Sequence, residues 1–383
     1  MERVRSYVKE NATRYQNFLK ELVLHESPTK NKEAVDACGE FLSDFCRAEG
    51  LTVEKKEFSG KGNYYRISSF PNSKEKPILL MGHIDTVHPI GAYDPVVKID
   101  GNRLYGPGVF DCKGGVVAGL FAMKALSESG CTRPVSFLLS GAEEDCGFAG
   151  LDVQEYLTEE SRGALACFNT EPYNSGVVTT SRKGIARAEV TVQGKASHAG
   201  SGYDKGISAI KEACHKILKI EEASDMQAVT YNCGVIQGGS VANTVPEFCK
   251  FIVDIRCPTL AMMEEAVERV KKICDESFIP GTKTTVVFPP RRPPMEFIEG
   301  TGRLLEFVNS VNRELGIEEV CGRYRGGGAD SSYSVLAGVP TLCSCGASGD
   351  GGHTLQEYTL LDSVPQAAIR LAAWIKKLPA DFC

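Results

Sequence analysis

The stretch SGAEEDCGFAG, residues 140–150, sets Glu143 and Glu144 side by side where an apolar run gives way to glycine-rich chain. Adjacent carboxylates suit acid–base work or metal ligation, so the other polar groups that end apolar runs matter. MGHIDTVHP (81–89) holds His83 and Asp85 two residues apart, a spacing that puts both on one face of a strand. One can ligate a metal while the other accepts the far ring N–H and fixes the tautomer. GPGVFDCKGG (106–115) carries Asp111 just ahead of a helical pattern, NTEP (169–172) places Glu171 before a proline, and GDGGHT (349–354) puts His353 on a loop. Alone, each reads as a polar turn or loop residue. Together, His83, His353, Asp111, Glu144 and Glu171 make a donor set of nitrogen and oxygen. Such a mixture favours Zn²⁺, with Co²⁺ or Mn²⁺ as substitutes, over Mg²⁺ or Ca²⁺. Five ligating groups exceed the needs of one catalytic zinc; two ions roughly 3.5–4 Å apart, sharing a bridging carboxylate, would use them all.

The elements that must position these groups follow from the apolar pattern. PILLMGHID (77–85), PVSFLLSGAEE (134–144) and VPTLCSCG (339–346) read as buried strands, and GGVVAGLFAMKALSESG (114–130) as the helical crossover that parallel strands need. A further helix opens the chain. The fold class is α/β, and in such sheets ligands gather outside the carboxyl ends of the strands. From about residue 182 the texture changes to alternation: in IARAEVTVQ (185–193), Ala186, Ala188, Val190 and Val192 share one face. A helix-like segment (206–223), strands at 228–236 and 247–257, a helix at 261–277 and a strand at 283–288 complete a βαββαβ order. That order predicts an inserted α+β, ferredoxin-like domain, closed by the stiff linker PPRRPP (289–294). The expected division is a catalytic domain over 1–181 and 291–383, with the insertion over 182–290.

Bulk properties narrow the function classes. The chain has 383 residues, 42% hydrophobic and 24% charged, with a net charge of −6, which argues against a nucleic-acid or membrane surface. No stretch is apolar over the ~18 residues a membrane span requires, and the N-terminus lacks a signal peptide's apolar run. The 15 cysteines are scattered without paired CxxC spacings, which predicts reduced core residues and a cytoplasmic protein. GPGVFD fails as a dinucleotide fingerprint because Asp111 takes the third glycine position, and no Walker A loop is present.

The motifs GHIDTV, GPGVFDCKGG, AEEDCG, TEP, GKASHAG and GGGADSSY…GGH run in order from about residue 80 to 360. In them the chain resembles the dinuclear zinc aminoacylase/carboxypeptidase family of metallopeptidases, with wording nearest its glutamate carboxypeptidase branch. The resemblance implies a zinc-exopeptidase-like catalytic domain with a central, largely parallel sheet flanked by helices, and an inserted lid and dimerisation domain. It implies two Zn²⁺, one held by His83, Asp111 and Glu171 and the other by Asp111, Glu144 and His353. Glu143 would be the general base and Asp85 the outer partner of His83, and the Asp111–Cys112 peptide would be cis. From the insertion, His198 would donate to the oxyanion, Asn243 and Arg256 would hold the substrate carboxylate, and Gly326, Gly327 and Gly328 would line the pocket with N–H groups. Arg256 also stands out by itself, because Cys249, Phe251, Val253 and Ile255 take the apolar face of its strand and leave it open to a carboxylate. The implied substrates are peptides or N-acyl amino acids, cleaved beside a free carboxylate by a homodimer, as a carboxypeptidase releasing glutamate or a similar residue. An N-acyl amino acid deacylase is the alternative, and a silent metal- or peptide-binding protein a second one that the intact Glu143 opposes. Pro107 stands where many relatives carry Arg, and Cys112 stands where an acid is frequent, as a soft ligand or an oxidation-sensitive thiol. His25, His88 and His215 match no ligand position and read as structural.

Overall fold

Strands Ile78–His83 and Val135–Ser140 are buried along their whole length, as parallel strands covered on both faces must be. They pair in parallel with His83 opposite Ser140, and the helix Gly114–Glu128 makes the crossover between them. Cys167–Asn169 pairs in parallel on the other side of Ile78–His83, and Thr341–Leu342 lies beyond it. Thr341–Leu342 is shorter than its apolar run suggests, because Ser344 turns into the left-handed region at φ 60°. Two strands without a strong apolar signal, Thr52–Lys56 and Tyr64–Ser69, add an antiparallel edge, so the six-stranded sheet is mixed.

This computed structural model describes every residue except 146–149, 175 and 383, so the last two residues of the AEEDCG motif lie outside the described residues. The chain divides into two units. The first comprises Met1–Ser181, Phe297–Arg325 and Ala329–Cys383 and contains the mixed sheet. Helices Glu2–Leu24, Gly114–Glu128 and Ser363–Lys377 contribute Val8, Leu19, Val117, Phe121 and Trp374 to its core. A second N-terminal helix, Lys32–Ala48, buries Val35, Cys38, Leu42 and Cys46 at helical spacing, and the Asn31 side chain caps it by accepting from Ala34 N. Lys113 is fully buried, and its Nζ donates to Leu22 O (3.3 Å) and His25 O (2.9 Å), satisfying carbonyls at the end of Glu2–Leu24.

The second unit, Arg182–Glu296 with Gly326–Gly328, has its own core. Gly184–Gln193, Thr230–Gly238, Phe248–Cys257 and Lys283–Val287 form an antiparallel sheet, backed by helices Ala209–Glu221 and Leu260–Asp275. The buried faces of its central strands are the ones their alternation selects. The stretch 289–294, expected as a stiff linker, is tied to the second unit's sheet. Arg292, lying between its prolines, still has an N–H, and it exchanges backbone hydrogen bonds with Ile185 at 3.0 and 2.9 Å. Among the described residues no helix is long and apolar enough to cross a membrane.

Candidate metal centre

Strand register assembles the site. His83 closes its strand, and Met81 pairs with Asn169, so Glu171, two residues beyond Asn169, comes level with His83. Val135–Ser140 releases Glu143 and Glu144 at the same end. Two glycines permit the close approach: a Cβ on Gly115 would lie 1.8 Å from Thr170 O, and one on Gly346 would lie 2.1 Å from it. Asp111 sits in the turn Val109–Lys113 on non-helical backbone, and its peptide bond to Cys112 is cis. His353 arrives from a loop with φ 63°.

The donor atoms divide into two sets that share Asp111. Its Oδ1 lies 3.0 Å from His83 Nε2, which is also 3.7 Å from Glu171 Oε1. Its Oδ2 lies 3.4 Å from His353 Nε2, which is also 3.2 Å from Glu144 Oε2. One carboxylate thus offers each oxygen to a different imidazole, and each imidazole has its own glutamate. Ligand-type atoms of His83, Asp111 and Glu144 all lie within 4.8 Å of one another, as do those of His83, Cys112 and Glu171. The mixed N/O donors and the shared carboxylate fit a pair of zinc-like cations. Cys112 stays within reach of the His83 and Glu171 donors, as its position suggests. Burial pushes its thiol up to about 12, and its Sγ is taken up by the His83 backbone, 3.2 Å from the N–H and 3.5 Å from the carbonyl.

Electrostatics fit a site built for positive charge. Hydrogen bonds to Asp111 and Glu144 lift His353 to about 11, and its side chain is 55% exposed, on the open side of the cluster. Burial opposes the charge on Asp111, yet His353 and His83 hold it well below the usual carboxylate range. Glu144 is raised by burial to about 7.

Asp85 supports the site differently from the expected carboxylate–imidazole pair. His83 Nδ1 meets the Asp85 backbone carbonyl at 3.0 Å, while the carboxylate is 3.5 Å away. That contact occupies Nδ1 and leaves Nε2, on the Asp111 side, as the nitrogen that would ligate a cation. The carboxylate instead clamps the adjacent glutamates: Oδ1 accepts from Glu143 N and Oδ2 from Glu144 N, both at 3.0 Å, and Thr29 Oγ1 donates to Oδ2 at 2.7 Å. Burial is outweighed by these bonds and by His83, so Asp85 stays below its usual range.

Glu357 is the site residue that sequence reasoning missed. Its buried carboxylate accepts from Gly108 N (3.1 Å), Phe110 N (2.8 Å) and Asp111 N (3.0 Å), gripping the turn that presents Asp111. Burial raises it to about 7 against these bonds. Its only signal in sequence is position, four residues after His353. Of the other histidines, His25 stacks on Phe41, His88 meets Tyr93 edge-on and His215 stacks on Phe278.

Within the second unit, Ser197–His198 pairs with Thr244–Val245, and Ala199 N donates to Asn243 O at 2.9 Å, so His198 and Asn243 are neighbours. His198 Nδ1 accepts from Gly200 N (3.1 Å) and Ser201 N (3.2 Å), which leaves Nε2–H as an exposed donor. Arg256 is less open than its strand position suggests. Its Nε and Nη2 grip Asp254, two residues back on the same face, at 2.6 and 3.2 Å. Gly327 and Gly328 present carbonyls to Arg182 Nη1 at 3.1 and 3.4 Å.

The sequence profile of peptidase family M20/M25/M40 matches residues 79–377. Carboxypeptidase G2 from Pseudomonas sp. (strain RS-16) is 28% identical over 375 residues, spanning 94% of this chain and 88% of that protein. The crystal structure of aminopeptidase PepT from Bacillus cereus superposes with a TM-score of 0.78 at 22% identity, covering 96% of this chain and 98% of that one. A tripeptidase from Staphylococcus aureus gives a TM-score of 0.77 at 23% identity over the same shares.

Proposed function

Because the chain belongs to peptidase family M20/M25/M40, a metal-dependent family of hydrolases, we propose that it cleaves an amide bond beside a free carboxylate, releasing a C-terminal glutamate or a similar amino acid. The observation that carries this reading is the splitting of Asp111 between two imidazoles, each with its own glutamate. His83, Asp111 and Glu171 would hold one Zn²⁺, and Asp111, Glu144 and His353 a second, with Co²⁺ or Mn²⁺ as substitutes. When bound, such ions polarise a carbonyl and acidify water. Carboxypeptidase G2, as a relative at 28% identity, supports the carboxypeptidase direction.

The chain's own residues divide the work. Glu143 takes the proton of the attacking water and passes it to the leaving amine, while the Asp85 carboxylate fixes the backbone that carries it. The Nε2–H of His198, with its tautomer set by two backbone donors, stabilises the oxyanion. Arg256 and Asn243 hold the substrate carboxylate, Arg256 by sharing or exchanging its bond to Asp254, and Gly326, Gly327 and Gly328 line the same region. In this reading residues 182–290 act as lid and dimerisation surface of a cytoplasmic homodimer, and the separate core of the second unit supports that role.

The test is a panel of dipeptides, N-acyl-glutamates and acetylornithine offered to the zinc-loaded protein, with products read by mass spectrometry. Release of free amino acids from carboxylate-bearing amides is the expected result, and the pattern separates a carboxypeptidase from an N-acyl amino acid deacylase. Glu143→Ala should keep its metal and lose roughly 100-fold to 10,000-fold in turnover. Unchanged turnover would remove Glu143 from the mechanism.

A further inference from the structure

Beside the metal centre lies a cavity of about 520 Å³, within the roughly 300–1,000 Å³ of small-molecule sites. Glu144 forms part of its wall, and so does Thr29, whose hydroxyl bonds to Asp85. The cavity therefore adjoins the cluster through both the His353 ligand set and the Asp85 support. Pro28, Val87, Pro89 and Ile90 supply the apolar lining. Val87 is 40% and Ile90 55% exposed, so apolar surface is left for a ligand to cover.

The walls are already built. Thr29 N donates to Thr86 O at 3.0 Å, Thr86 N to Ser27 O at 2.9 Å, and Ser27 Oγ to Ile84 O at 2.6 Å. These bonds tie the segment bearing Pro28 to the one bearing Val87, so little ordering is left for the binding step.

We infer that this cavity is the subsite for the acyl side of the scissile amide and that it takes apolar acyl groups, branched aliphatic or aromatic. The assignment rests on the hydrolytic reading above. Glu144 both lines this cavity and stands in the His353 donor set, so a group joined to the scissile carbonyl can reach the cavity from the metal centre. Among the cavity's described lining residues Lys30 and Asp145 carry opposite charges and Glu144 belongs to the ion site, so the lining offers an acidic acyl group no net positive charge. Val87, Ile90 and the two prolines reward carbon.

The test measures binding of acid products to the zinc-loaded full chain by calorimetry, which needs no turnover. From acetate to 4-methylpentanoate the affinity should rise at least 10-fold, since each fully buried methylene contributes roughly fourfold and the cavity is partly open. Ile90→Ser and Val87→Ser, both at exposed positions, should each shrink that gain at least threefold. A gain below threefold, or one that neither substitution alters, would overturn the subsite. Succinate binding more tightly than 4-methylpentanoate would overturn its apolar character and point to Lys30 instead. The reaction is judged separately: if no amide in the hydrolysis panel is cleaved, the acyl-group role falls whatever the acids do. Cleavage without chain-length dependence would sink the subsite and leave the hydrolase standing.

Discussion

Glu357→Gln isolates the grip on Asp111. The substitution keeps size and shape but replaces one acceptor oxygen by an NH₂ group, while three backbone N–H groups still point at the side chain. At least one of them then faces a donor in a buried place, and a buried unsatisfied donor costs about 1–3 kcal/mol. That cost falls on the turn Val109–Lys113, so it is felt where Asp111 must be aimed. Because Asp111 serves both imidazoles, both ion sites weaken together. At 1.4 kcal/mol per factor of ten, zinc affinity should fall roughly 5-fold to 150-fold. Competition with a chromophoric chelator measures this directly, and circular dichroism checks that the variant is folded. A folded variant with zinc affinity within twofold of the parent would refute the positioning role of Glu357.

Gly115→Ala should lower the melting temperature by several degrees and weaken zinc binding through Glu171, because its Cβ would meet Thr170 O at 1.8 Å and overpacking costs roughly 1–3 kcal/mol. Unaltered melting and zinc content would contradict the close approach. Arg256→Gln should raise KM roughly 10-fold to 100-fold for substrates with a free carboxylate and change kcat less, since charge-assisted bonds contribute about 1.5–3 kcal/mol. Equal KM values for parent and variant would remove Arg256 from substrate binding. Dialysis against a chelator should abolish turnover, and Zn²⁺, Co²⁺ or Mn²⁺ should restore it. Turnover in protein shown to be metal-free would contradict the proposed role of the ions.

Much of this site is legible in the sequence because parallel strands deliver their carboxyl ends to one place. His83, Glu143, Glu144 and Glu171 each follow an apolar run, and the register that aligns them is the ordinary consequence of parallel pairing. In the insertion, the strands Gly184–Gln193 and Phe248–Cys257 are equally readable, because their alternation is strong over their full length. What escapes is held by backbone atoms. The contact of His83 Nδ1 with the Asp85 carbonyl, and the Asp85 carboxylate on two backbone N–H groups, leave no mark in residue type. Glu357 lies 246 positions from Asp111 and looks like any acid on a polar loop. The strand Thr52–Lys56 is mostly charged and exposed, so no apolar run announces it. The helix Lys32–Ala48 did carry its signal, in the spacing of Val35, Cys38, Leu42 and Cys46.

The central claim is that Asp111 bridges two ions, each completed by its own histidine and glutamate. The most direct measurement is an anomalous difference map, collected at the zinc absorption edge from crystals of the zinc-loaded protein. Two peaks are predicted, one against His83 and Glu171 and one against His353 and Glu144, with an Asp111 oxygen beside each. A single peak, or a peak that Asp111 does not touch, would contradict it.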